Sequence, residues 1–356
     1  MIVVHRFRIW CGFALLGLVL PFVASAQSAA GVGFAPITIH DPVNGGTMPG
    51  YVFYPSTAAT GVTKVGSYAL HATPGAVAVL GAKPLVVISH GHGGSDLGHH
   101  DLAVYLAGHG FVVATLEHPK DNFHDMSGTS TPQVLDGRSI QVKALISYLL
   151  DDPHWGKLVD PDRIGVAGFS AGGYTALMVV GAVPHFERFI AYCKRHPDDA
   201  EDCAMLQEWQ SEGSAGAAKL QAALAGLRDG LHRWGDPHDS RVKSAFVMAP
   251  LGLVFDAAGL ASIDRPVFLY YGQNDPVLLP NENVLHIAPL IKTLIGIQMI
   301  PRAGHYVFLS PCSPQLAGEV PNLCTDPPGV SRVLVHQQLN AAALAFFRKT
   351  LITTSR

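Results

Sequence analysis

The sequence predicts an α/β protein, a mainly parallel central sheet flanked by helices with an inserted helical cap, and three observations carry that prediction. Apolar runs such as "PLVVISHG", "FVVATLEHP", "RIGVAGFS", "SAFVMAP" and "PVFLYYGQ" are continuous rather than alternating, as strands covered on both faces require. Helical sequence separates most of these runs, so successive strands are joined by crossovers and lie parallel. The rhythm breaks once, at about residues 184–240, where only amphipathic stretches such as "FERFIAYCKRH" and "AAKLQAALAGLRDGLHRW" remain. That segment is too long for a connecting loop in a compact domain and reads as a helical cap.

In chain order, Arg6 and Arg8 precede an apolar run over residues 10–23 and the small-residue exit "ASA" at 24–26. This pattern predicts a secretory signal peptide over residues 1–26 and an exported protein, periplasmic or secreted. The run falls short of the roughly 18 to 20 residues that span a bilayer. "ITIHD" and "GYVFYP" then read as two strands joined by the turn-rich "PVNGGTMPG". After a Gly/Ala-rich excursion, "PLVVISHG" is the first doubly buried strand. A helix follows in "SDLGHHDLAVYLAGHG", with Ser95 placed to cap its start and Gly108 or Gly110 its end. "FVVATLEHP" is a strand, "GRSIQVKALISYLLDD" a helix, and "RIGVAGFS" a strand running into Ser170. Beyond the cap, "SAFVMAP", "PVFLYYGQ" and "IQMIP" are strands, each followed by a loop.

Without the leader's 26 residues the 356-residue chain keeps 330, residues 27–356, which suits one large α/β domain. The leader removes two of 24 basic residues and none of 27 acidic ones, leaving 22 against 27 and a mature net charge of −5 with neutral histidines. That balance lacks the basic face that nucleic acid needs. With 48 % hydrophobic and 14 % charged residues, the chain can bury a large core. Cys11 leaves with the leader, and Cys193, Cys203, Cys312 and Cys324 remain. In an exported chain these predict disulfides, with three connectivities open to four cysteines. The two pairs closest in sequence give the expectation Cys193–Cys203 and Cys312–Cys324.

The chemistry centres on "GVAGFSAGGYTAL". A sharp strand-to-helix turn forces its central residue into a strained backbone, and neighbours two residues away must be nearly side-chain-free, hence Gly168 and Gly172. The helix that follows presents N–H groups and a positive dipole end to the Ser170 hydroxyl. A serine nucleophile needs a base held by an acid. "LYYGQNDPVLLP" puts Asp275 past a strand end, and "MIPRAGHYVFL" puts His305 past the next. The order Ser170, Asp275, His305 is the one expected of a nucleophile elbow in such a sheet; Asp256 is the second candidate acid. Two N–H donors are required for an oxyanion, here the backbone of Ala171 and, in "SHGHGGS", that of His92. Other histidines, in "HGH", "HHD" and "EHPKDNFHD", lack the i, i+4 spacing of a zinc-hydrolase helix. No metal or other cofactor is called for; His90 is expected to pack under the oxyanion loop, the rest to lie at the surface or the pocket mouth.

"SHGHGG", "GFSAGG", "GQNDP" and "AGHYVF" resemble the α/β-hydrolase superfamily, specifically the exported predicted dienelactone hydrolases and their platelet-activating-factor acetylhydrolase-like relatives. The resemblance spans roughly residues 84–309 and implies an α/β-hydrolase fold with a Ser170–Asp275–His305 triad. Dienelactone hydrolases proper use a cysteine nucleophile, so serine here favours esters. The expected activity is hydrolysis of small-molecule carboxylic esters through an acyl-enzyme on Ser170, with no stable membrane anchor in the mature chain. Phe186, Phe189, Trp209 and Trp234 in the cap would roof the pocket and favour short acyl groups. The alternatives are a phospholipase A2-like acetylhydrolase, a serine peptidase of the same fold, or, from another class, a non-enzymatic histidine-rich metal-binding exported protein.

Overall fold

The computed structural model describes residues 31–352, with the side chains at 200–202, 204 and 231 left out; the signal peptide expected at 1–26 lies outside the described residues. Eleven strands follow in order: β1 (Gly31–His40), β2 (Thr47–Ser56), β3 (Thr63–Val65), β4 (Tyr68–Leu70), β5 (Thr73–Pro74), β6 (Lys83–Ser89), β7 (Val112–Leu116), β8 (Val159–Phe169), β9 (Val242–Met248), β10 (Val267–Gly272) and β11 (Leu294–Ile300). The helices are α1 (His100–Gly108), α2 (Pro132–Leu135), α3 (Gly137–Asp151), α4 (Ala171–Val179), α5 (Glu187–Arg195), α6 (Ala200–Ser211), α7 (Ser214–Trp234), α8 (Val284–Ile287), α9 (Pro314–Glu319), α10 (Pro321–Cys324) and α11 (Arg332–Phe347).

Nine strands make one sheet in the order β11-β10-β9-β8-β6-β7-β2-β1-β5. From β11 to β7 every pairing is parallel, and the antiparallel pairings are those of β2 with β7 and of β1 with β2. The continuous apolar runs become the parallel strands because each residue has a core to enter. In β6, Leu85 and Val87 join the core beneath α3 and α4, while Val86 and Ile88 join the one beneath α1 and α11. Each such buried side chain is worth about 1.5–3 kcal/mol over its exposed state, so a helix-covered sheet outcompetes any one-sided arrangement of these residues.

Ser95 does not cap α1. That helix begins at His100 with His99 at its N-cap, and Ser95 Oγ accepts the Leu97 N–H at 3.0 Å. The serine closes a local turn of its own instead, an outcome open to any short hydroxyl side chain.

Between β8 and β9 the chain leaves the sheet for α5, α6 and α7. Cys193 and Cys203 are bonded at 2.05 Å and join α5 to α6. Cys312 and Cys324 are bonded at 2.00 Å beyond β11. The long helix α7 approaches α2 along a glycine edge: a Cβ on Gly226 would lie 3.3 Å from Pro132 Cγ. At Gly230 it would lie only 2.5 Å from Asp136 Oδ2. Asp136 is buried there, with no hydrogen-bond partner on either carboxylate oxygen. Both ends of the excursion are pinned to the sheet domain, Val183 N–H to Gly259 O at 2.8 Å and Asp239 N–H to Val179 O at 2.9 Å.

Candidate active site

Ser170 stands between β8 and α4 with φ 56° and ψ −121°, a left-handed backbone that costs a non-glycine residue about 1–3 kcal/mol. The surroundings hold it there. Its N–H donates to Met248 O at 2.9 Å, and its carbonyl accepts from Tyr174 N–H at 3.0 Å. A Cβ on Gly168 would sit 2.0 Å from Gly172 O, and one on Gly172 would sit 2.0 Å from Ser89 O. No other residue type fits these two positions without moving backbone.

His305 opens a short turn after β11, and its Nδ1 lies 2.7 Å from Asp275 Oδ2. The carboxylate can only accept, so Nδ1 carries a hydrogen. Asp275 Oδ1 accepts the N–H groups of Val277 and Leu278, both at 2.9 Å, which fixes the carboxylate plane. Both side chains are buried. The His305 ring packs 4.7 Å from that of Phe169, the residue before Ser170. Asp256, the second candidate acid, pairs instead with His185 Nδ1 at 2.8 Å, with both side chains partly exposed. It sits on the rim where the excursion leaves the sheet domain and does not contact His305.

His92, Ser170 and Ala171 line one cavity of about 370 Å³. Phe186 and Phe189, Trp209 and Leu220 bring α5, α6 and α7 into its wall, facing Leu251 and Leu278 from the sheet domain. Trp234 does not reach it. A 21-residue helix such as α7 runs about 30 Å, and its last turn passes the cavity, with Trp234 under the Arg233 guanidinium.

Beneath the His92 loop lies a buried polar network absent from the sequence reading. Asp121 pairs with Arg138 through one carboxylate oxygen and with His92 Nδ1 through the other, both at short contact. The second Asp121 oxygen also accepts Gly93 N–H at 3.3 Å. Arg138 donates further to the His90 carbonyl and to Ser89 Oγ. Burial works to raise the Asp121 carboxyl, but Arg138 and His92 outweigh it and hold it down at about 2. Burial and Arg138 push His90 down to about 3, so its neutral Nε2 accepts the His118 N–H at 3.0 Å. His90 thus packs under the loop as expected. His99, His100 and His118 are only 2 %, 8 % and 0 % exposed, against the expectation of surface or rim positions, because each meets a hydrogen-bond partner inside.

A second network steadies the His305 turn. His336 Nε2 lies 2.9 Å from Val307 O and Nδ1 2.6 Å from Asp101 Oδ2. Burial would raise the Asp101 carboxyl, yet His336, Ser310 and Asn340 hold it well below the usual carboxylate range. Nothing local in the sequence marks these residues, since Asp101 and His336 are 235 positions apart. Among the described residues no group of three His, Cys, Asp or Glu side chains is placed to hold a metal ion.

Residues 59–148 match the family model of platelet-activating factor acetylhydrolase, isoform II. That stretch includes His92, Asp121 and Arg138 and ends ahead of Ser170. A ferulic acid esterase from Streptomyces cinnamoneus is similar in structure, with 20 % identity, 92 % of each chain covered and a TM-score of 0.58. A search of the curated proteins found no match. The predicted fold is the one observed: the chain is an α/β-hydrolase in architecture, similar over residues 59–148 to the platelet-activating factor acetylhydrolase family.

Proposed function

We propose that the protein is a serine carboxylic ester hydrolase that forms an acyl-enzyme on Ser170. In this reading His305 Nε2 takes the Ser170 hydroxyl proton as Oγ attacks the ester carbonyl, while Asp275 keeps the ring in its Nδ1–H form and steadies the imidazolium. The backbone N–H groups of Ala171 and His92 receive the oxyanion. The imidazolium then protonates the departing alkoxide, and a water activated by the same ring releases the acid and restores Ser170. The observation that carries this reading is the buried His305–Asp275 pair at 2.7 Å, packed on the residue next to the strained Ser170.

The family match and the esterase-like fold support esters over amides, and an alkoxide is the easier leaving group. The acetylhydrolase match favours one narrower form, a phospholipase A2-like removal of short acyl groups. A cap at about residues 184–240 over a cavity of about 370 Å³ is in keeping with short acyl chains. Export belongs to the same reading: the leader sequence and both disulfides support it. Among the described residues no helix is long and apolar enough to cross a membrane.

The test is active-site labelling joined to kinetics. A fluorophosphonate is expected to modify Ser170 alone, as read by peptide mass spectrometry. Ser170→Ala is expected to lose hydrolysis of p-nitrophenyl butyrate by several orders of magnitude while staying folded. Turnover near wild type in that variant refutes the proposal.

A further inference from the structure

The cavity holding Ser170 is chemically divided. Its wall from α5, α6 and α7 is apolar, whereas His92, Asp121, Thr129 and Ser130 bring polar side chains from the loops after β6 and β7. His92 is the informative member. Its Nδ1 faces Asp121, a carboxylate already paired with Arg138 and able only to accept, so Nδ1 carries the hydrogen. The opposite ring edge, Nε2, has no hydrogen-bond partner among the described residues, and the side chain is 45 % exposed in the cavity wall. With Nδ1 committed to Asp121, Nε2 is the ring atom left to meet a ligand, and no lysine or arginine is among the residues lining the cavity to hold an anion.

Resting on the ester-hydrolase reading, we infer that the His92 imidazole binds a free hydroxyl on the alcohol portion of the substrate, so that the enzyme acts on esters of polyhydroxylated alcohols. The acyl group goes to the apolar wall beneath the cap. The alcohol portion lies along the polar wall, a few bonds from the carbonyl that the His92 backbone N–H polarises. Thr129 adds a hydroxyl oxygen there: it donates to Met126 O at 2.7 Å and so retains its acceptor capacity. Arg138, paired with Asp121, acts behind His92 as a positioning residue.

The experiment compares 2,3-dihydroxypropyl butyrate with propyl butyrate, two esters of one acid differing only in hydroxyls. Wild type is expected to favour the dihydroxy ester in kcat/KM by about five- to tenfold, the value of one or two hydrogen bonds. His92→Ala keeps the backbone N–H, and the ratio is expected to fall to about one whatever happens to the absolute rates. His92→Gln, whose carbonyl oxygen can accept from a similar place, is expected to restore part of it. No preference in wild type, or one untouched in His92→Ala, overturns the inference. If His92→Ala is inactive on both esters, the long-range ¹H–¹⁵N imidazole spectrum of Ser170→Ala decides. With glycerol monobutyl ether added, the His92 Nε2 resonance is expected to move, and with dibutyl ether to stay. An unmoved resonance, or an Nε2–H tautomer in the free protein, overturns it. Failure of the ester reading looks different: wild type would then hydrolyse neither ester, or Ser170→Ala would hydrolyse both.

Discussion

Replacing Asp136 by asparagine is expected to make the protein less sensitive to alkaline unfolding. Asp136 is 1 % exposed, and neither of its oxygens has a partner. Gly230 of α7 closes over it, Tyr174 of α4 and Arg138 of α3 are the titratable groups near it, and Arg138 is already committed to Asp121. Burial therefore raises the carboxyl from 3.8 to about 7. An acid with a raised folded pKa binds its proton more tightly than the unfolded chain does. Folding stability thus declines as pH climbs from about 4 to about 7 and levels off above that. Between pH 5 and pH 8 the loss assigned to this one group is about 2–3 kcal/mol. Asparagine cannot ionise. Its buried amide has a cost of its own, but that cost is the same at both pH values and cancels in the comparison. The assay is urea unfolding of both proteins at pH 5 and pH 8, followed by tryptophan fluorescence. The variant is expected to gain about 2–3 kcal/mol on wild type between the two conditions, with all other titrating groups common to both. A variant-minus-wild-type difference that does not change with pH refutes the reasoning.

Four further outcomes are expected. His305→Ala should be as severe as Ser170→Ala in kcat, since serine and base act as one unit; a loss below tenfold would contradict the proposed role. Gly172→Ala places a methyl 2.0 Å from Ser89 O and is expected to cost about 1–3 kcal/mol or more, so a melting temperature near wild type would show the elbow to be more yielding than the structure implies. Removing the Cys193–Cys203 bridge, which spans 10 positions, is expected to lower stability by about 2–3 kcal/mol in chemical denaturation, with Cys193→Ser/Cys203→Ser as the reagent. Replacing residues 184–240 by a short linker is expected to flatten the butyrate-to-palmitate ratio in kcat/KM; a ratio that survives in the folded product would separate acyl length from the cap.

The sheet was legible because a strand buried on both faces has no choice of residue, and its runs of Val, Ile and Leu are visible without any partner strand. The elbow was legible for a similar reason: Gly168 and Gly172 face backbone atoms at distances no side chain tolerates, so the local pattern is forced. The positions of His305 and Asp275 after strand ends could also be read, and the structure brings the two side chains together. What escaped was everything decided by long-range pairing. Arg138 reads as one charge on a helix, and only the folded chain brings it to Asp121 and the His90 carbonyl. The buried histidines misled for the same reason, since burial of His99 or His118 depends on a carbonyl or amide supplied from afar. Trp234 was misassigned because amphipathic periodicity reports which face of a helix is apolar and says nothing of how far along the helix the cavity extends.

The pinned ends of the α5–α7 excursion have a consequence for how such a protein can diversify. Val183 meets Gly259, and Asp239 meets Val179, through backbone hydrogen bonds. These two anchors make no demand on side chains. A segment exchanged between them must still replace the tie of His185 to Asp256 and the packing of Gly230 over Asp136. Ser170, Asp275 and His305 are held entirely outside that segment. Chimaeras joined at residues 183 and 239 would change the cavity wall that α5, α6 and α7 supply while leaving the proposed triad in place.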